Sequence, residues 1–87
     1  MSGSVYSVRY REFLKRLKAA RIDAGLTQQE VAAKLDVPQS YISKCESGER
    51  RVDVIELADL AEIYKKPLQY FAESISRITA SGSSSDN

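Results

Sequence analysis

Gly25, the Asp36-Val37-Pro38 turn, Gly48 and Pro67 interrupt this chain at short intervals, and they constrain it more than any other feature. Between these breaks the apolar residues recur at helical spacing, and no window alternates with the period of two that a strand requires. A chain that can only be helical, and is stopped so often, is expected to fold as five short helices around one core, an all-α domain. The first runs from Ser7 or Arg9 to Ala24, with Tyr10, Phe13, Leu14, Leu17, Ala20 or Arg21, and Ala24 facing inward; Gly25 supplies the left-handed residue that ends it. Thr27 and Glu30 form a T-x-x-E capping box for a second helix, Gln28 to Leu35, burying Val31, Ala32 and Leu35. Pro38 suits the first turn of the third helix, where its missing N–H has no partner to lose. That helix continues to Ser47, with Tyr41 or Ile42, and Cys45, inside. Asp53 caps the fourth, whose stripe is Val54, Leu57, Ala58, Ala61 and Tyr64. Lys65 and Lys66 favour its C-terminal dipole, and Pro67 prevents continuation. The fifth runs from Pro67 to Ile78, with Leu68, Phe71, Ala72, Ile75 and Ile78 on one face.

Residues 9–78 therefore read as a single domain, between a flexible lead (1–8) and a polar tail (79–87) with too little apolar surface to order itself. The 87 residues leave no room for a second domain. The chain has no histidine and one cysteine. That excludes Ser-His-Asp and Cys-His catalytic pairs, a Cys/His metal site and an internal disulfide. The acids are scattered over separate helices and no phosphate loop is present, so neither an enzyme nor a cofactor is expected. No apolar run approaches the ~18 residues of a membrane span, and the opening MSGSVYSVRYR lacks the apolar stretch of a secretory signal. The expectation is a cytoplasmic module with no membrane or small-molecule partner. Charge is unevenly spread. Residues 1–51 hold ten basic against six acidic side chains, net +4, and residues 52–87 hold three against six, net −3. A basic front half is the footprint of a polyanion binder, although a solvated helix face leaves the same one.

The informative segment is TQQEVAAKLDVPQSYISKCESG, residues 27–48. Two short helices with apolar inner faces, joined by a tight turn, make a helix-turn-helix. On the outer side of the second stand Gln39, Ser40, Ser43 and Lys44, hydrogen-bonding side chains with little to bury against. A helix fits the major groove of B-DNA and its N-terminal residues meet the base edges first. Gln can bond adenine through two atoms, Lys can reach guanine, and Ser serves either. Gln28, just past the Thr27 cap, sits where free backbone N–H groups can clamp a phosphate. Tyr41 divides evenly between core packing and a phosphate contact, and Arg50 and Arg51 follow in the loop as further phosphate partners. Cys45 reads as a small core residue.

Residues 10–64 resemble the helix-turn-helix family of the lambdoid phage repressors and Cro, the xenobiotic-response-element family. The resemblance is carried by Gly25-Leu26, Thr27-Gln28, Val31-Ala32, Leu35, Ile42-Ser43, Glu46 and Gly48. It implies a five-helix domain that binds operator DNA as a dimer, with Gln28 on a phosphate and Gln39, Ser40 and Lys44 at base-reading positions. It also implies a structural ion pair between Arg21 and Glu46. Three departures stand out: Asp36 where the family often has Gly, Cys45 where an aromatic residue is common, and Glu49 at the start of the loop.

Leu68 and Phe71 could cap the monomer core, but Ile75 and Ile78 lie farther along with little left to cover them. The stripe Leu68, Phe71, Ile75 and Ile78 is therefore expected to form a homodimer interface. The expected partners are a roughly palindromic double-stranded DNA operator, a second copy of the chain, and RNA polymerase when bound beside a promoter. Among small stand-alone relatives the chain most resembles the controller proteins of restriction-modification systems, with phage repressors as the alternative. A rival reading is an antitoxin-type module whose main task is binding a toxin; the Ser-rich tail, short and without apolar anchors, argues against it.

Overall fold

Helix starts need acceptors for their free backbone N–H groups, and side chains supply them at three of the five helices among the described residues. The computed structural model describes residues 7–73. Within them lie α1 (Val8–Asp23), α2 (Gln28–Leu35), α3 (Gln39–Ser47), α4 (Val54–Tyr64) and α5 (Leu68–Ala72), and no strand. Ser7 Oγ accepts from Tyr10 N at 3.1 Å to open α1. The Thr27 capping box is complete: Glu30 N donates to Thr27 Oγ1 at 3.1 Å, and Thr27 N to Glu30 Oε1 at 2.9 Å. Asp53 and Glu56 build a second box on α4, at 2.8 and 3.0 Å. Pro38 and Pro67 stand at the N-caps of α3 and α5 without a side-chain bond.

Left-handed residues follow four of the described helices, Gly25 (φ 76°) coming just after the Ala24 cap of α1. Gly48 (φ 90°) follows α3, and Asp36 (φ 61°) closes α2, tolerating this region better than most residues do. Lys65 (φ 59°) closes α4, which the sequence does not announce. Its backbone and that of Lys66 return to the Glu62 and Ala61 carbonyls, at 3.2 and 3.0 Å, so the reversal before Pro67 is held by main-chain bonds.

The core gathers Phe13, Leu17 and Ala20 of α1, Val31 and Ala32 of α2, Ile42 and Cys45 of α3, Leu60, Ala61 and Tyr64 of α4, and Phe71 of α5. Helix α1 lies against α3, α4 and α5, while α2 packs on α3 and α4. Three expectations are corrected here. Ala24, expected inside, is exposed. The buried face of α4 is turned from the expected stripe: Val54 is 67% exposed and Ala58 is also exposed, while Leu60 is buried. Leu60 lies roughly 160° around the helix from Ala58, so both cannot face the core. Phe71, expected at a dimer interface, is 0% exposed within the single chain. It meets Tyr70 edge-on at 5.0 Å, and Arg16 fastens this helix to α1 by donating to the Tyr70 carbonyl at 3.1 Å. Leu68 is 45% exposed. Ile75, Ile78, the tail and residues 1–6 of the lead lie outside the described residues. Among the described residues no helix is long and apolar enough to cross a membrane.

Candidate nucleic-acid interface

The start of α3 owes its exposure to the burial of its opposite side. Ile42 and Cys45 are each 1% exposed. Gln39, Ser40, Ser43 and Lys44 project away from them and are exposed. Positions i, i+1, i+4 and i+5 span about 140° of a helix, so the four side chains form one polar face. Among the described residues the Lys44 ammonium makes no ion pair. Burial pushes the Cys45 thiol above its ordinary range, which makes it an unreactive packing group.

The orientation of this face is fixed by a chain of hydrogen bonds running back to α1. Arg21 grips Glu46 with two nitrogens, Nε to Oε2 at 2.6 Å and Nη2 to Oε1 at 3.2 Å. Its Nη1 donates to the Leu26 carbonyl at 2.9 Å. The two side chains are 12% and 6% exposed. The hydrogen bond to Glu46 raises the Arg21 pKa against the opposing effect of burial. Glu46 Oε1 also accepts from Gln28 Nε2 at 3.0 Å, and Gln28 Oε1 accepts from Gln39 Nε2 at 3.2 Å. Gln28 is thus half-buried at the α2 start and links the ion pair to the first residue of α3. Two nitrogen-bound hydrogens on an amide leave its Nε2 one donor beyond the Glu46 bond, directed from a helix N-terminus where an anion is favoured.

Tyr41 and Arg50 are brought together, but on a carboxylate. The Tyr41 hydroxyl donates to Glu56 Oε2 at 2.6 Å. Arg50 Nη1 and Nη2 donate to Glu56 Oε1 and Oε2 at 3.1 and 2.6 Å, and the guanidinium lies 4.5 Å from the centre of the Tyr41 ring. Burial and the Glu56 hydrogen bond push the Tyr41 pKa up to about 12. Burial pushes the Glu56 carboxyl up, but the bonds from Tyr41, the Asp53 backbone and Arg50 more than offset it, and Glu56 titrates below its ordinary value. Arg51 is exposed, its guanidinium 4.5 Å from the centre of the Tyr10 ring, and Tyr10 Oη accepts from Val52 N at 3.1 Å.

Sequence reasoning missed Glu56. The D-x-x-E pattern of residues 53–56, the same capping signature as T-x-x-E, marks its position but not its partners. The Tyr10 bond to the loop joins residues 42 apart and has no local signal.

The sequence pattern of the helix-turn-helix family matches residues 17–71, which contain α2, α3 and the whole hydrogen-bond chain just described. The HTH-type transcriptional regulator ImmR of Bacillus subtilis (strain 168) is similar, 39% identical over 56 residues that make up 64% of this chain and 44% of that protein. The chain spans less than half the length of this curated relative. Because the match covers well over half of the chain, it belongs to the helix-turn-helix family of the xenobiotic-response-element type.

Proposed function

We propose that this chain is a sequence-specific, double-stranded DNA-binding regulator of transcription that acts as a homodimer on a two-fold symmetric operator. The observation that carries the reading is the polar face of α3: Gln39, Ser40, Ser43 and Lys44 exposed together, with Gln39 held in place through Gln28 and Glu46. Pre-set hydrogen-bonding groups at a helix start are what a major-groove reader needs. The regulator named among its relatives supports the transcriptional role. Gln28 and Arg51 are the phosphate contacts that fix register, and regulation follows from occupancy, by excluding RNA polymerase or touching it beside a promoter. In this reading Leu68, Ile75 and Ile78 form the dimer contact, the last two lying outside the described residues. Two recognition helices related by a two-fold then enter successive major grooves, with half-sites about 10 bp apart centre to centre.

Selection of bound duplexes from a random pool tests this directly, followed by fluorescence anisotropy on the selected and scrambled duplexes. Gln39→Ala or Lys44→Ala is expected to cost ~1–3 kcal/mol per half-site on the selected duplex and to change scrambled DNA little. An unchanged ratio between the two duplexes would remove α3 from the reading role. Sedimentation at micromolar concentration is expected to show twice the chain mass.

A further inference from the structure

The loop after α3 carries two adjacent arginines, and the first of them is bound to a carboxylate. Arg50 N donates to the Lys44 carbonyl at 3.1 Å, so this residue is anchored beside the exposed face of α3. Its side chain nevertheless turns to Glu56. Both outer nitrogens are bound there, Nη1 donates also to the Arg51 carbonyl at 3.1 Å, and the Tyr41 ring stacks on the guanidinium. Bidentate arginine–carboxylate pairs are geometrically specific and among the stronger hydrogen-bonded contacts. These bonds use three of the five guanidinium N–H groups. They set the positive charge against a carboxylate whose side chain is 20% exposed, with that of Arg50 40% exposed, so Arg50 meets DNA as half of a neutral pair rather than as a free cation. Glu56 meanwhile joins three pieces of chain: Tyr41 of α3, Arg50 of the loop and the Asp53 backbone at the start of α4.

We propose that Glu56 is a positioning residue for DNA recognition, which stands in for a phosphate on Arg50, withholds that cation from the DNA backbone and uses it with Tyr41 to set the seat of α3 on α4. This rests on the DNA-binding reading above and deepens it. Sequence-independent affinity for DNA comes from neutralised phosphates. A cation already neutralised by a carboxylate beside the reading face therefore adds less to the affinity for random DNA, without touching the base-reading groups. Specificity rises because the competing non-specific sites are weakened.

The test compares Arg50→Gln, Arg51→Gln, Glu56→Gln and Tyr41→Phe by fluorescence anisotropy across a range of salt concentrations. The probes are a duplex selected by the unmodified chain from a random pool and a scrambled duplex of the same composition. Arg51→Gln is expected to lower the slope of log affinity against log salt by about one for each phosphate it no longer neutralises. Arg50→Gln is expected to weaken the selected duplex with a change of slope well below that. Glu56→Gln releases Arg50, so the slope steepens by up to about one per chain, scrambled DNA binds several-fold more tightly, and the selected-to-scrambled ratio falls. Tyr41→Phe lowers the ratio with no change of slope. A second measurement needs no variant: NMR titration of the Glu56 carboxyl, which is expected to stay below the ordinary carboxylate range when the selected duplex is added. An Arg50→Gln slope decrease of about one per chain, the value for a lost phosphate contact, or a Glu56 titration that rises on adding DNA, overturns this inference and leaves DNA binding standing. No preference of the unmodified chain for the selected duplex overturns the DNA-binding reading, and this inference with it.

Discussion

Removing Glu46 breaks a buried ion pair from one side. Glu46→Ala leaves the Arg21 guanidinium, 12% exposed, without its carboxylate, and leaves Gln28 Nε2 without its acceptor. Among the described residues the Leu26 carbonyl alone still accepts from Arg21. Breaking a buried pair from one side costs about 3–5 kcal/mol, because a charge stays in a poorly solvated place. At about 0.05–0.15 kcal/mol per residue a chain of this size has roughly 4–13 kcal/mol in total. The variant is therefore expected to lose a large share of its stability. Urea unfolding followed by circular dichroism reads the loss, and high salt should alter it little, since a buried pair is weakly screened. Replacing both partners by apolar residues of similar size, Arg21→Met with Glu46→Leu, is expected to recover most of the stability, because no unpaired charge remains. It should not recover discrimination between DNA sequences, since Gln28 and hence Gln39 lose their anchor. A Glu46→Ala cost below about 1 kcal/mol, the range of an exposed ion pair, would refute the claim that this pair holds α1 to α3.

Phe71→Ala is expected to cost about 3–5 kcal/mol in the same urea assay, as a fully buried aromatic residue does; a cost below about 1 kcal/mol would show that α5 does not close the core. Lys65→Gly and Asp36→Gly should each raise the unfolding midpoint, by up to about 1 kcal/mol in stability, because glycine adopts a positive φ freely. The gain should be larger at Lys65, since a lysine tolerates that conformation less well than an aspartate. Stability should also fall in acid through Glu56. Its folded pKa is depressed below its unfolded value, so its contribution is fully present above the unfolded value and disappears as pH drops through the folded one. Chemical denaturation from pH 7 to pH 2 should show that loss below about pH 4.3, and Glu56→Gln should flatten it.

Helix boundaries were legible because the residues that set them act locally. Thr27 with Glu30, the prolines at 38 and 67, and the glycines at 25 and 48 each satisfy or withhold a backbone group within a few residues of themselves. Asp36 could be anticipated as a left-handed residue from its short polar side chain. Lys65 could not, since nothing in a lysine favours that conformation and the main-chain reversal imposes it. The phase of α4 was ambiguous for a different reason. On a helix where apolar residues outnumber polar ones, several stripes are available, and packing against α1, α2 and α5 decides between them. Spacing alone exposed the polar face of α3, and the Arg21–Glu46 pair entered only through the family resemblance.

Partner choice among charged side chains was the least legible property, and it changes how the uneven charge of the chain is to be read. A sequence count gives +4 for residues 1–51 and −3 for the remainder. In the fold, two arginines of the basic half are held by acids of the other half: Arg16 by Glu73 at 3.3 Å and Arg50 by Glu56 at 2.6 Å. Lys66 of the acidic half reaches back to Asp23 at 2.8 Å. Arg21 is closed off within its own half by Glu46. Part of the asymmetry therefore serves to hold α1 against the end of α5 and the loop after α3 against the start of α4. The basic side chains that remain exposed around the polar face of α3 set the field that DNA would meet, and they are fewer than the count implies. Specific recognition in so small a domain benefits from that restraint, because each phosphate contact strengthens every duplex alike, whereas a cation used for positioning strengthens only the duplex that the face can read.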